Sequence, residues 1–258
     1  MDPRHLRHVF LETTISGSAP VIVTGQTRHH LTNVLRLRVG ERIALRDVEG
    51  ACFIATAQSI ERQAITFTIS GKADPPPAPP CHITVVQALG KGERFEQVLQ
   101  HGTEIGVARF IPLVTQRTVP SVARGSAGMA HKMQRWQAVV RSAAEQSKRD
   151  NVPELMEPSS LPEALSVVGG AGDVLLLDAD GPPILCVVSA DEAPAGPATG
   201  RRSYALFVGP EGGFSDDEKH MALAAGARAV SASPYVLRTE TAALTAASVL
   251  IARAMTMR

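Results

Sequence analysis

The sequence predicts an α/β protein in which a small β-rich domain precedes a mostly parallel sheet covered by helices. Three observations carry that prediction. β-like segments crowd the first 70 residues, a proline-rich break follows them, and beyond it apolar strands alternate with helices to the end of the chain. Near the C-terminus, two apolar runs each end in an irregular loop that opens a helix: Gly209-Pro-Glu-Gly-Gly213 with Phe214, and Ser231 through Ala242. In open α/β sheets ligands bind beyond the strand C-termini, so two such loops predict one shared pocket.

The elements follow in order. Residues 42–47, 51–56 and 64–69 each suit a half-buried strand bounded by polar residues or glycine. Residues 27–37 read as a short helix with Leu31, Val34 and Leu35 on one side. This pattern predicts a small β-barrel or β-sandwich over residues 1–72. Residues 73–80 are the expected linker, because five prolines in the six positions 75–80 can continue neither a helix nor a central strand. From residue 81 strands are expected at 83–89, 110–114, 173–179, 204–209 and 229–233. Helices are expected at 93–107, 132–149, 216–225 and 241–255.

Composition narrows the function classes. The chain has 258 residues, 44% hydrophobic and 20% charged, as in ordinary soluble globular proteins. No apolar run approaches the roughly 18 residues needed to span a bilayer, and Asp2, Arg4 and Arg7 precede any apolar stretch, unlike a secretory signal. Cys52, Cys81 and Cys186 lie far apart, with no CxxC pair and no zinc spacing. A cytoplasmic, reduced, metal-free protein without a membrane segment is expected. The net charge of +1 hides a basic start: residues 1–46 hold seven arginines (4, 7, 28, 36, 38, 42, 46) against Asp2, Glu12 and Glu41. Such a region suits a polyanion partner, or else a solvated face balanced by acids elsewhere.

The glycine turn is not a nucleotide loop. It lacks GxGxxG and the Lys-Ser/Thr of a P-loop. Ser215 and Glu218 form a capping-box pattern, and Asp216 and Asp217 occupy the first helical turn. Those carboxylates use the positive end of the helix dipole and would repel phosphate, so a neutral or cationic ligand is expected. Gly212 is read as the residue demanded by tight turn geometry. The alanine-rich segment after Thr241 suits close packing or close approach to a ligand. Two readings stay open for Arg238 and Glu240: an ion pair at the helix entrance, or a pocket mouth where Arg238 holds a phosphate or a developing negative charge. Glu211 either ties down the N–H groups of its turn or touches substrate.

The chain resembles the ribosomal RNA small subunit methyltransferase E family, uridine-N3 methyltransferases of the SPOUT superfamily. The resemblance rests on Gly209-Pro-Glu-Gly-Gly213 with Ser215-x-x-Glu218, and on Val236-Leu-Arg-Thr-Glu-Thr-Ala242. It also rests on His29-His-Leu-Thr-Asn-Val-Leu-Arg-Leu37 with Gly40, Gln87-Ala-Leu-Gly-Lys-Gly-Glu93, Thr103-Glu-Ile-Gly-Val107, Ala144-Glu-Gln-Ser-Lys-Arg149 and Val152-Pro-Glu154. The segments run in family order across nearly the whole length. At two positions where the family has Gly and Arg, this chain has Ser233 and Tyr235, and the family's Asp-Gly turn is here Asp47-Val-Glu-Gly50.

The resemblance implies a PUA-like β-barrel over 1–72 that binds RNA and a SPOUT methyltransferase domain over 81–258 with a C-terminal trefoil knot. It implies a homodimer acting on ribosomal RNA within the small subunit, with S-adenosylmethionine as cofactor. The implied cofactor residues are Leu177, Gly209, Pro210, Glu211, Gly212, Gly213, Val236, Leu237, Thr239, Glu240, Thr241 and Ala242. Arg238, Glu240 and Glu211 are the implied catalytic candidates, Arg238 for negative charge on the base and the two carboxylates for proton removal or loop ordering. Arg7, His29, Arg36, Arg38, Lys91, Arg94, Arg141 and Arg149 are the implied RNA contacts, and Arg141 and Lys148, seven apart, are expected on one helix face. The competing readings are a ribose 2′-O-methyltransferase of the same superfamily and a non-catalytic RNA-binding assembly module.

Overall fold

The computed structural model describes residues 3–16, 19–74, 79–90, 92–118, 127–170, 172–188 and 201–256. The chain divides into two compact units, Met1–Ala78 with Ala144–Asn151, and Pro79–Ala143 with Val152–Arg258.

The first unit is a five-stranded sheet of β1 (Arg7–Phe10), β2 (Val21–Thr24), β3 (Arg42–Arg46), β4 (Cys52–Ile60) and β5 (Ala64–Ala73) in the order β1-β3-β4-β5-β2. β1 runs parallel to β3 and the other ladders are antiparallel. Register shifts at Ile54/Ala55 and Ala57/Ser59 mark bulges that curl the sheet around a core of Val9, Leu31, Ile43, Leu45, Ile65 and Phe67. The three expected strands are present: β3 ends one residue earlier than its sequence pattern, while β4 and β5 run on past theirs. β1 and β2 were not anticipated: each has four residues, too few to display a period. Residues 75–78 of the expected linker lie outside the described residues.

The expected helix at 27–37 needs correction. It is α1 (Gly25–His29) followed by a π-turn over His30–Val34, closed by Leu35 N–H donating to the His30 carbonyl at 3.0 Å. The wider turn changes the angular spacing of side chains, so Leu31 is buried and Leu35 packs beside it while Val34 stands 62% exposed.

The second unit contains, in chain order, β6 (His82–Ala88), α2 (Arg94–Ile105), β7 (Arg109–Val114), α3 (Ala127–Gln146, whose residues from Ala144 on belong to the first unit), β8 (Glu154–Leu155), β9 (Ser159–Ser160), α4 (Leu161–Val168), β10 (Asp173–Leu177), α5 (Ile184–Val187), β11 (Ser203–Val208), α6 (Asp216–Ala224), β12 (Arg228–Val230) and α7 (Thr239–Thr256). Its strands pair in parallel in the order β12-β10-β11-β6-β7-β8, with β9 also on β7. This is the α/β parallel sheet the sequence predicts. β11 is buried along its whole length because both faces are covered. Tyr204, Leu206 and Val208 share one core with α2, α3 and α7, while Ala205 and Phe207 share another with α4 and α6.

α3 ends earlier than expected. Lys148 adopts φ 58°, Arg149 N–H reaches the Ala144 carbonyl at 3.0 Å and Lys148 N–H the Glu145 carbonyl at 3.3 Å, a Schellman-type stop without glycine. Lys148 therefore lies beyond the helix and does not share a helical face with Arg141.

Candidate active site

β10, β11 and β12 are neighbours, so their C-terminal residues Leu177, Val208 and Val230 end side by side and form the floor of a cleft of about 480 Å³. That volume suits a small organic ligand. Its walls are the loop after β11, the loop after β12 and the first turns of α7.

The first wall is rigid for local reasons. Gly213 N–H closes a turn on the Pro210 carbonyl at 2.8 Å, and Gly213 holds φ 68°. The capping box predicted for α6 is present: Glu218 N–H donates to Ser215 Oγ at 3.2 Å and Ser215 N–H to Glu218 Oε2 at 2.9 Å. The other oxygen of this buried carboxylate accepts from Gln116 N–H at 2.9 Å, so Glu218 is committed to structure. Gly212 does not carry the special backbone angle; Gly213 does, which corrects the sequence expectation.

The second wall is anchored at both ends. Ser231 N–H donates to the Pro182 carbonyl at 2.8 Å, and Ser231 accepts from Ile184 N–H at 2.9 Å. At the other end Thr239 Oγ1 donates to the Gly209 carbonyl at 2.7 Å and accepts from Gln87 Nε2 at 2.7 Å, all within buried surroundings. One hydroxyl thus joins both loops to the end of β6.

Charges sit at the rim. Arg94 Nη1 contacts Glu211 Oε1 at 2.6 Å, and the Glu211 carboxylate lies over Gly90, where a Cβ would come within 3.0 Å of it. Lys219 Nζ contacts Asp178 Oδ2 at 2.6 Å, which holds Asp178 below the usual carboxylate range and Lys219 above the usual amine range. Among the described residues the Arg238 guanidinium is exposed on the cleft wall with no hydrogen-bond or ion-pair partner, and it does not pair with Glu240.

Of the sequence-predicted cofactor residues, Leu177, Gly209, Pro210, Glu211, Gly213, Val236, Leu237, Thr239 and Ala242 line the cleft, as does Arg238. Gly212 and Thr241 are exposed outside that lining, and the Gly212 carbonyl accepts from Arg117. Glu240 is 9% exposed, off the wall, with Oε2 unpartnered. Sequence reasoning missed Asp178 and Lys219, which belong to different strand-helix units and carry no joint motif. It also missed Gln87 as a loop anchor, although Gln87 opens one of the segments singled out above.

The expected RNA contacts are divided between the two units. In the first unit His29, Arg36 and Arg38 are exposed. Arg7 donates to the Leu35 carbonyl at 2.5 Å, and Arg149 is partly buried, which lowers its pKa. In the second unit Arg141 is partly buried on α3 and Arg94 is at the cleft rim. Lys91 lies outside the described residues.

Residues 77–251 match the family model of an RNA methyltransferase domain, and residues 23–70 that of an RNA methyltransferase PUA domain, so the class is RNA methyltransferase. A ribosomal RNA small subunit methyltransferase E of Mycobacterium bovis is 34% identical over 241 residues, covering 92% of this chain and 88% of the relative. The solved structure of a ribosomal RNA small subunit methyltransferase E from Neisseria gonorrhoeae bound to S-adenosyl methionine aligns with a TM-score of 0.81 at 28% identity, covering 98% of each chain. A putative methyltransferase from Legionella pneumophila in complex with the cofactor SAM aligns with a TM-score of 0.83 at 31% identity, over 96% of this chain and 98% of that one. The chain belongs to the ribosomal RNA small subunit methyltransferase E family.

Proposed function

We propose that this enzyme uses S-adenosylmethionine to methylate N3 of a uridine in small-subunit ribosomal RNA, working as a cytoplasmic homodimer. The observation that carries the reading is the cleft at the strand ends with Arg238 on its wall, its guanidinium without a partner among the described residues. The residues present suit this cofactor. Leu177, Val208, Leu237 and Ala242 supply apolar wall for an adenine, while the carboxylates of the lining, Asp178 and Glu211, are each paired with a base, Lys219 and Arg94. Asp216 and Asp217 at the start of α6 disfavour a phosphate-bearing nucleotide in its place.

When bound, S-adenosylmethionine supplies a methyl group made electrophilic by its sulfonium. Uracil N3–H is a poor nucleophile until its proton departs, so the protein must favour the anion. Arg238 is positioned to do so: its guanidinium, exposed on the cleft wall, stabilises negative charge on the base. Glu211, ordered by Arg94, fixes the rim and is the cleft carboxylate available to take the proton. Glu240 supports the start of α7 from behind the wall. The remaining acceleration comes from orientation, which can be worth roughly 7–11 kcal/mol. In this reading residues 1–72 form the RNA-binding domain, 73–80 the linker and 81–258 the catalytic domain.

The test has two readouts. Titration calorimetry with S-adenosylmethionine, using NAD and ATP as controls, should give selective binding. Small-subunit RNA treated with enzyme and cofactor should then acquire a mark that stops primer extension, since methylation at N3 blocks pairing. A ribose methyl group as the product would transfer the chain to 2′-O chemistry. Failure of folded protein to bind the cofactor or modify RNA would leave an RNA-binding module.

A further inference from the structure

We infer that Tyr235 is a stacking platform for the unpaired base presented to the cleft, an inference that rests on the RNA methyltransferase reading above. Tyr235 is 79% exposed and the adjacent Val236 87% exposed, and both lie on the cleft wall. A single exposed apolar side chain on a protein surface needs no explanation. This one differs in three respects.

The first is that its backbone is held. Tyr235 N–H donates to Ser233 Oγ at 3.1 Å, and Pro234 between them has a fixed φ and no N–H. The ring is therefore carried on a short ordered turn, and little backbone entropy is lost when it meets a ligand. The second is that the same loop carries the exposed Arg238 guanidinium, which has no partner among the described residues, so an aromatic face and a cation share one rim. The third is that the cleft floor is made of the apolar strand ends Leu177, Val208 and Val230, so the ring, 79% exposed, is open to solvent at the border of an apolar cleft.

A nucleobase is the ligand that uses all three. Single-stranded RNA is recognised by stacking splayed bases on aromatic side chains beside arginine. An extruded base loses its stacking neighbours, and a protein ring restores part of that loss. Tyr235 thereby holds the plane of the base while Arg238 answers its charge, which separates positioning from charge stabilisation within four residues of the loop.

The experiment compares wild type, Tyr235→Phe and Tyr235→Ala as full-length protein. Stacking predicts that the alanine variant raises the KM for RNA by about five- to a hundredfold. Its dissociation constant for S-adenosylmethionine should stay within about twofold, and the phenylalanine variant should behave as wild type. Unchanged KM, equal loss of cofactor affinity, or an altered subunit number in Tyr235→Ala would overturn the inference. Photo-crosslinking of RNA carrying 5-iodouridine at the modified position gives an independent readout. Attachment at Tyr235 supports the platform even if the uridine-N3 assignment fails, and attachment confined to other residues refutes it.

Discussion

Thr239 Oγ1 donates a 2.7 Å hydrogen bond to the carbonyl of Gly209, thirty residues away, and this joins the two loops that wall the cleft. The same hydroxyl accepts from Gln87 Nε2, 152 residues away. Thr239→Val keeps the side-chain shape but leaves a buried carbonyl and a buried amide without this partner. The expected cost is about 1–3 kcal/mol of stability, read from the urea midpoint. Cofactor affinity should fall with it, whereas Thr239→Ser should keep both. A valine variant as stable as wild type would show that the tie contributes nothing.

Arg238 makes the opposite prediction. Its guanidinium is exposed and has no partner among the described residues, so its removal should leave the melting temperature and the S-adenosylmethionine dissociation constant nearly unchanged. Turnover should drop by about a hundred- to a thousandfold, as when one preorganised charge stabiliser is lost. Parallel loss of stability and activity in Arg238→Ala would instead give the residue a structural role.

The glycine turn separates two neighbours that look alike in sequence. Gly213 has φ 68°, a conformation that costs an alanine about 1–2 kcal/mol. Among the described residues a Cβ on Gly212 would meet the Arg117 side chain alone, Cδ at 3.4 Å and Nη1 at 3.9 Å, which are ordinary contacts. Gly213→Ala should therefore weaken both fold and cofactor binding while Gly212→Ala is tolerated. Melting curves and calorimetry on the two variants decide it, and equal effects would contradict the assignment of the special angle.

What was legible in the chain follows the range of the interactions. The α6 capping box could be read directly because Ser215 and Glu218 are three residues apart. α4 carries the same signal in Ser160 and Glu163, with Ser160 N–H on Glu163 Oε2 at 2.8 Å, but Pro158 and Pro162 flank it and mask the helical pattern. The parallel sheet was legible because buried strands are continuous apolar runs. The π-turn that exposes Val34 was not, since helical periodicity assumes a regular spacing. A cleft does lie between the two loops that the sequence singles out, but Gln87 with Thr239 and Asp178 with Lys219 meet only in the folded sheet. No local pattern records such pairs.

The Asp178–Lys219 contact sets a pH dependence. A carboxylate depressed from its ordinary value of 3.8 stabilises the fold above that value, and the contribution is lost as pH falls through the lowered one. A lysine raised from 10.5 stabilises below that value and loses its contribution as pH climbs through the raised one. The stability difference between wild type and Asp178→Asn should thus be flat from about pH 5 to 9 and shrink beyond both ends. Because Lys219 is 36% exposed, the plateau should be only a few tenths to about 1 kcal/mol. Denaturant titrations across pH test this; a difference that persists unchanged to strong acid would remove the pair as its source.

Arg36 and Arg38 are exposed, and among the described residues neither guanidinium has a hydrogen-bond or ion-pair partner. Exposed charge of this kind contributes little to folding, so alanine at either position should leave the melting temperature close to wild type. If the two side chains meet RNA phosphates, each substitution should weaken binding and reduce the slope of log affinity against log salt. The reduction should be about 0.7 per lost contact on single-stranded RNA. Arg7, whose guanidinium already reaches the Leu35 carbonyl and stands 3.8 Å from Glu41, should change the slope less than either. Affinity measured at four or five salt concentrations distinguishes the cases. Unchanged slopes for Arg36→Ala and Arg38→Ala would mean that this basic segment is a solvated face, and that the RNA is held elsewhere on the protein.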